Sequence, residues 1–331
     1  MRQLLTLLVV LLLAGCASNK THSVTVAEQT DSICFHSVPL SHEIPMPFRM
    51  LCSNGKLIIY QGMGDEVFVT LDSPLDGNCR LLGLKGRGPK EFINVDVQSL
   101  KPIKDGFMCI DQGGLIKVIQ LFGDFNVSSK KINTFGHPQN GVFVQDTFIA
   151  ANVNNDDSEY IRYQIDSERL DNLLSYPKWT NNDEITPQFA YLKNMVAHPY
   201  ENKFAAFYAY FRKVRIIDSD GNILHDLDVQ IPDIFPDYSL EPFTQTTAYA
   251  SYPCATDKFI YSLCHNENIS SLSKSIPEIH IWDWSGNLRL RLILDRHLDV
   301  FAVDEINGII YGMDLNDTSV LYYQYLSTYH L

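Results

Sequence analysis

Six short apolar runs recur along the chain, each preceded by a turn and followed within a few residues by a second run of strand-like composition. They are Leu57–Tyr60, Phe107–Ile110, Phe148–Ala151, Phe204–Phe207, Phe259–Ser262 and Ile309–Tyr311. A repeat at this scale constrains the fold more than any local propensity. Continuous apolar runs suit strands covered on both faces, as the inner strand of a radially packed sheet would be. The runs that follow them alternate instead: Glu66–Val69, Ile116–Ile119, Tyr160–Tyr163, Lys213–Ile216, Glu278–Ile281 and Ser319–Tyr322. Period two is the pattern of a half-buried strand. Markers at Val67, Val118, Tyr163, Arg215, His280 and Leu321 are spaced 51, 45, 52, 65 and 41 residues apart, which suits a four-stranded β unit.

The turns agree with this register. Ile217–Ile223 and Trp282–Leu288 are near copies 65 residues apart, each placing an Asp before a Gly, where the carboxylate accepts backbone hydrogen bonds and Gly takes a positive φ. The expected fold is therefore all-β: a six-bladed β-propeller in which radial closure leaves no long free sheet edge. The sixth unit ends one strand short at the C-terminus. Ser32–Val38, ahead of the first unit, is expected to complete that last blade, so the propeller spans residues 30–331.

The amino terminus carries an address. Arg2 is followed by an apolar run from Leu4 to Ala14, interrupted only by Thr6. Eleven residues reach roughly 17 Å as a helix, short of the roughly 30 Å hydrocarbon core, so residues 1–15 read as a signal peptide rather than a membrane span. The segment ends Leu13-Ala14-Gly15-Cys16, which resembles the bacterial lipobox and implies acylation of Cys16 followed by a polar tether over residues 16–29. An ordinary secretory signal with an incidental cysteine is the alternative. No Asp follows Cys16 and no acidic cluster stands behind it, so the expected location is the outer membrane, facing the periplasm.

One loop carries a family likeness. Gly86-Arg87-Gly88-Pro89-Lys90-Glu91-Phe92, followed by Val95-Asp96-Val97, resembles the Gly-x-Gly-Pro-Gly-Glu-Phe signature of TolB-like six-bladed propeller lipoproteins of Bacteroidetes and, more distantly, NHL repeats. Lys90 stands where that signature has Gly. The resemblance implies an envelope lipoprotein rather than a particular chemistry.

Ligand-binding candidates come from long connections. Residues 176–194 hold Trp179, Phe189 and Tyr191, and residues 230–247 hold Phe235, Tyr238 and Phe243; exposed aromatics suit stacking on sugars or packing on peptide side chains, and otherwise they cap blade ends. Arg87 can clamp a carboxylate, and Glu91 either joins it or bridges loop amides. Asn152 to Asp157 offer oxygen ligands for Ca²⁺, with a solvated turn as the alternative. Residues 265–277 read as a loop insertion, and Cys254 and Cys264 either pair or remain buried thiols. With 26 Lys+Arg against 39 Asp+Glu the net charge is −13, which argues against a nucleic-acid partner. The chain contains no Gly-x-Ser-x-Gly, His-Glu-x-x-His or phosphate-binding Gly loop. The expected function is a non-enzymatic binding propeller held on the membrane through Cys16, with no cofactor, engaging an envelope protein, peptide or glycan. The alternatives are a hydrolase or lyase dependent on Ca²⁺ bound at the propeller axis, and a sensory partner of a neighbouring system.

Overall fold

The computed structural model describes residues 22–112, 114–121, 125–132, 140–152, 157–176, 186–230 and 247–329. Three strands come first: β1 (His22–Val26), β2 (Gln29–Ile33) and β3 (His36–Pro39). Six antiparallel units follow in chain order. The first holds β4 (Pro47–Ser53), β5 (Lys56–Gln61), β6 (Glu66–Leu71) and β7 (Arg80–Leu84), and the second β8 (Lys101–Ile103), β9 (Gly106–Asp111), β10 (Leu115–Gln120) and β11 (Asn126–Lys131). The third holds β12 (Gly141–Val144), β13 (Thr147–Ala151), β14 (Ser158–Gln164) and β15 (Arg169–Ser175). The fourth holds β16 (Lys193–Ala197), β17 (Lys203–Tyr208), β18 (Lys213–Asp218) and β19 (Ile223–Gln230). The fifth is β20 (Thr247–Ala255), β21 (Phe259–Asn268), β22 (Glu278–Asp283) and β23 (Leu288–Leu294). In the sixth, β24 (Val300–Asp304), β25 (Ile309–Asp314) and β26 (Asp317–Tyr325) are completed by β3. The protein is a six-bladed β-propeller whose last blade is closed by an N-terminal strand.

Its cores lie between blades. Phe68, Phe92 and Phe107 join the first blade to the second, and Leu57, Ile59, Val300 and Tyr311 join the sixth back to the first. The remaining four junctions have clusters of their own. This arrangement corrects the radial order expected from the apolar runs. Those runs are β5, β9, β13, β17, β21 and β25, the second strand of each blade, whereas the first strands β4, β8, β12, β16, β20 and β24 wall a shared axial cavity. The second strand is fully apolar because neighbouring blades cover both of its faces, not because it is innermost. For the same reason β6 and β22 are buried along most of their length rather than on alternate residues, and clear alternation appears one strand further out, in β23.

The leading strands run around the outside of the ring. β1 pairs parallel with β19 on the fourth blade, β2 parallel with β23 on the fifth, and β3 antiparallel with β26 on the sixth. Closure thus uses His36–Pro39, while Ser32 and Ile33, expected in that same strand, belong to the fifth blade. Strand structure also begins at His22, inside the stretch read as a tether. Ile33 and Phe35 bury their side chains between the last two blades, so the strap contributes apolar packing as well as ladder hydrogen bonds.

The two copied turns have one geometry. Asp218 Oδ1 accepts from the amides of Asp220 and Asn222 at 3.0 and 2.8 Å, and Asp283 Oδ1 accepts from Ser285 and Asn287 at 2.9 Å each. Gly221 and Gly286 sit at φ 88° and 85°, where a side chain would be strained. Two local expectations change. Strand β21 runs on to Asn268 and is followed by a 3₁₀ segment, Ile269–Lys274, so 265–277 is not a simple loop. Cys254 lies opposite Tyr261 and Cys264 opposite Ala250, and both are free thiols.

Candidate functional site: the axial channel

The first strand of every blade contributes to a cavity of about 90 Å³ on the axis, walled by Arg49 to Cys52, Gln98 to Pro102, Val142, Phe143, Val196, Ala197, Cys254, Ala255, Ala302 and Val303. Cys52, Pro102, Pro199, Ala255 and Val303 also wall a wider cavity of about 440 Å³ at the channel end where the first strands turn into the second. A space of that size can take much of a small ligand. Its rim carries Tyr200 and Ile306, which at 73% and 71% exposure are the two most solvent-exposed large apolar side chains among the described residues. Lys104, Asp304 and Glu305 stand beside them. Asp304 is held by Asn307, whose amide N–H and side-chain Nδ2 both donate to its carboxylate.

Deeper in the channel Arg49 is 7% exposed and donates to the carbonyl of Pro253. Lys101 Nζ donates to the carbonyl of Phe143 at 3.2 Å. Burial lowers the pKa of both cations. Nearby, Asp96 caps the short turn Val97–Ser99 and accepts from the amides of Gln98 and Gly141 at 3.1 and 3.2 Å. Burial raises its carboxyl to about 6 despite those amides.

The glycine-rich loop is tied to the fold. Glu91 Oε2 accepts from the Gly88 amide at 2.7 Å, and a Cβ on Gly86 would lie 2.0 Å from that carboxylate oxygen, so a side chain there would displace the Glu91 carboxylate. Phe92 packs edge-on against Phe68, and Lys117 Nζ lies 4.4 Å over the Phe92 ring while donating to the Glu91 carbonyl. Lys117 also pairs with Asp111 at 3.0 Å, and Asp111 accepts from the amides of Ile93 and Asn94. Arg87 is exposed on this loop.

Of the expected aromatics, Tyr191 is buried against Tyr176, Tyr208 and Phe211, and Phe189, 41% exposed, lies on the helical turn Pro187–Ala190 beside Tyr210. Cys16, Trp179, Phe235, Tyr238 and Phe243 lie outside the described residues, as do Asn154, Asn155 and Asp156 of the expected Ca²⁺ turn. Beneath Tyr191 is a buried charged network that no sequence motif marks. Glu159, fully buried, accepts from Lys193 and Tyr208 at 2.5 Å each and from Arg215 at 3.0 Å. Burial pushes Lys193 down to about 8 against the opposing pull of Glu159.

One cluster has the composition of a cation site. His297, Asp299 and Asp314 bring ligand atoms within 4.8 Å of one another. The hydrogen bonds close without an ion, because His297 Nδ1 donates to the Ser275 carbonyl at 2.5 Å and Nε2 stands 3.1 Å from Asp299. Asp299 and the Ser275 carbonyl raise the pKa of His297 against the effect of burial, so an imidazolium fits there.

No family model matches the sequence, and no curated protein does. Solved structures do resemble the fold. A Bacteroides fragilis protein described as exported superposes with a TM-score of 0.56 at 12% identity, covering 92% of this chain and 99% of its own. A DUF4221 family member from Bacteroides vulgatus gives 0.55 at 8% identity, covering 88% and 96%. At such identities the likeness is one of architecture.

Proposed function

We propose that this protein is an exported lipoprotein, anchored through Cys16, whose propeller binds an extended peptide of an envelope partner at the axial channel and performs no chemistry on it. The observation that carries this reading is the 440 Å³ mouth with Tyr200 and Ile306 standing in solvent on its rim. An exposed tyrosine beside a concavity is a common anchor of recognition, and Ile306 extends the apolar rim next to it. Charges of both signs at the same rim suit a peptide better than a uniformly polar sugar chain. Export is supported by the lipobox-like end of the apolar leader and by the exported structural neighbour. Against Ca²⁺ on the axis stands the lining of the inner cavity, which has two cations and no carboxylate.

The test is to pan a random peptide library on the full-length protein in detergent and measure affinities of enriched peptides for wild type, Tyr200→Ala and Ile306→Ser. Micromolar binding weakened at least tenfold by either substitution is the expected result. Equal affinity in both variants, or no enrichment, would remove the mouth from consideration. Anchoring is tested separately: Cys16→Ala should move the protein from the membrane to the soluble fraction.

A further inference from the structure

Arg49 is buried in the first strand of the first blade and forms no ion pair among the described residues. Its single hydrogen bond goes to the Pro253 carbonyl, and no carboxylate of the described residues lies within ion-pair distance. Among the described residues the guanidinium makes no second hydrogen bond, Asp96 acts on it only at longer range, and the side chain walls the axial cavity. Lys101, from the next blade, walls the same cavity and is bound only to a carbonyl. A buried cation without an ion pair is costly, and Arg49, with half-buried Lys101 beside it, makes this cavity a favourable place for an anion.

From this geometry we infer that the axial cavity at Arg49 and Lys101 is a carboxylate-binding subsite, filled by the free C-terminal carboxylate of the peptide that enters through the mouth. The planar guanidinium presents paired N–H groups that match a carboxylate in two parallel hydrogen bonds, and an ammonium supplies a third. The cavity is large enough for such a head group. Its access is the mouth itself, since Cys52, Pro102, Pro199, Ala255 and Val303 wall both spaces. The inference rests on the peptide-binding reading for the identity of the ligand, but not for the presence of the anion site.

The experiment is thermal unfolding of the full-length protein in buffer free of small carboxylates and phosphate, titrated with acetate, inorganic phosphate or neutral acetamide. Acetate is expected to raise Tm in wild type, in the manner of a ligand that binds only the folded state. Acetamide should not. Arg49→Met should abolish the acetate response, and without acetate it should unfold no earlier than wild type, because it removes an uncompensated charge. Arg49→Lys, which keeps the charge and loses the fork, should need at least tenfold more acetate; it decides the matter if the Met variant fails to fold. An acetate response unchanged in these variants, or none in wild type, overturns the inference, and a stronger response to phosphate overturns the carboxylate assignment. Panned peptides separate the two readings. Amidating their C-terminus should weaken binding at least tenfold in wild type but not in Arg49→Met. If amidation changes nothing while Tyr200→Ala still weakens binding, the mouth stands and the subsite falls.

Discussion

Replacing Lys117 with Met tests what holds the glycine-rich loop to the second blade. Lys117 and Asp111 are 2% and 0% exposed and pair at 3.0 Å, and the ammonium also lies over Phe92 and donates to the Glu91 carbonyl. Methionine fills nearly the same volume, so no large cavity forms and the loss is electrostatic. Removing one partner of a buried pair costs about 3–5 kcal/mol, because the other charge stays in the interior. Asp111 keeps its bonds from the amides of Ile93 and Asn94, which places the cost toward the lower figure. The lost cation–π contact adds about 1–2 kcal/mol for a desolvated ring. The sum, about 4 kcal/mol, corresponds to a fall in Tm of about 6 °C for a chain of this size. Urea unfolding of the full chain, followed by tryptophan fluorescence, measures it. Adding Asp111→Asn should recover part of the loss, since the orphaned carboxylate is then neutral and the two substitutions share one interaction. A loss below about 1 kcal/mol, or a double variant equal to the sum of the singles, would refute the claim that this pair holds the loop.

Three further outcomes are expected. Cys264 and Glu278 raise buried His280 to about 9 in the face of its desolvation, and its Nε2 lies 3.0 Å from Glu278. Its ordinary value is 6.5, so the stability it contributes is fully present below pH 6.5 and is lost as pH rises through about 9; Tm should fall over that window, by the equivalent of about 3 kcal/mol at most, and Glu278→Gln should flatten the fall. Truncation after Ile33 removes β1 and β2 but leaves β3 in place, so circular dichroism should show a folded but less stable ring, whereas truncation after Pro39 breaks closure and should leave a protease-sensitive chain. Cys34 is the exposed thiol among the described cysteines, and its bond to Asp295 raises its pKa, so it should react first with a disulfide reagent, slowly near neutrality, and faster in Asp295→Asn.

The ring was legible in the sequence because burial between blades imposes the same apolar run on every second strand, from Leu57 to Tyr311, and because the Asp218 and Asp283 turns preserve one side-chain cap. Periodicity reports how much of a strand is covered but not what covers it, so the second strands could be mistaken for the innermost. The strap was harder to see. His22–Val26 joins the fourth blade by parallel pairing with residues some two hundred positions away, and nothing local in His-Ser-Val-Thr-Val marks it off from a tether. The channel was invisible for a related reason. Arg49 sits in a strand that otherwise reads as core, and residues it shares a cavity with, Lys101, Phe143, Ala197, Ala255 and Val303, come one from each of the other five blades. Such a site has no linear motif, because it exists only once the sixth blade has closed on the first. The motif that was visible, Gly86 to Phe92, turns out to fasten two blades through Glu91, Phe92 and Lys117. A short signature of this kind can mark the joint that makes a fold possible, while the residues available for binding are scattered through the chain and gathered by the ring that the joint secures.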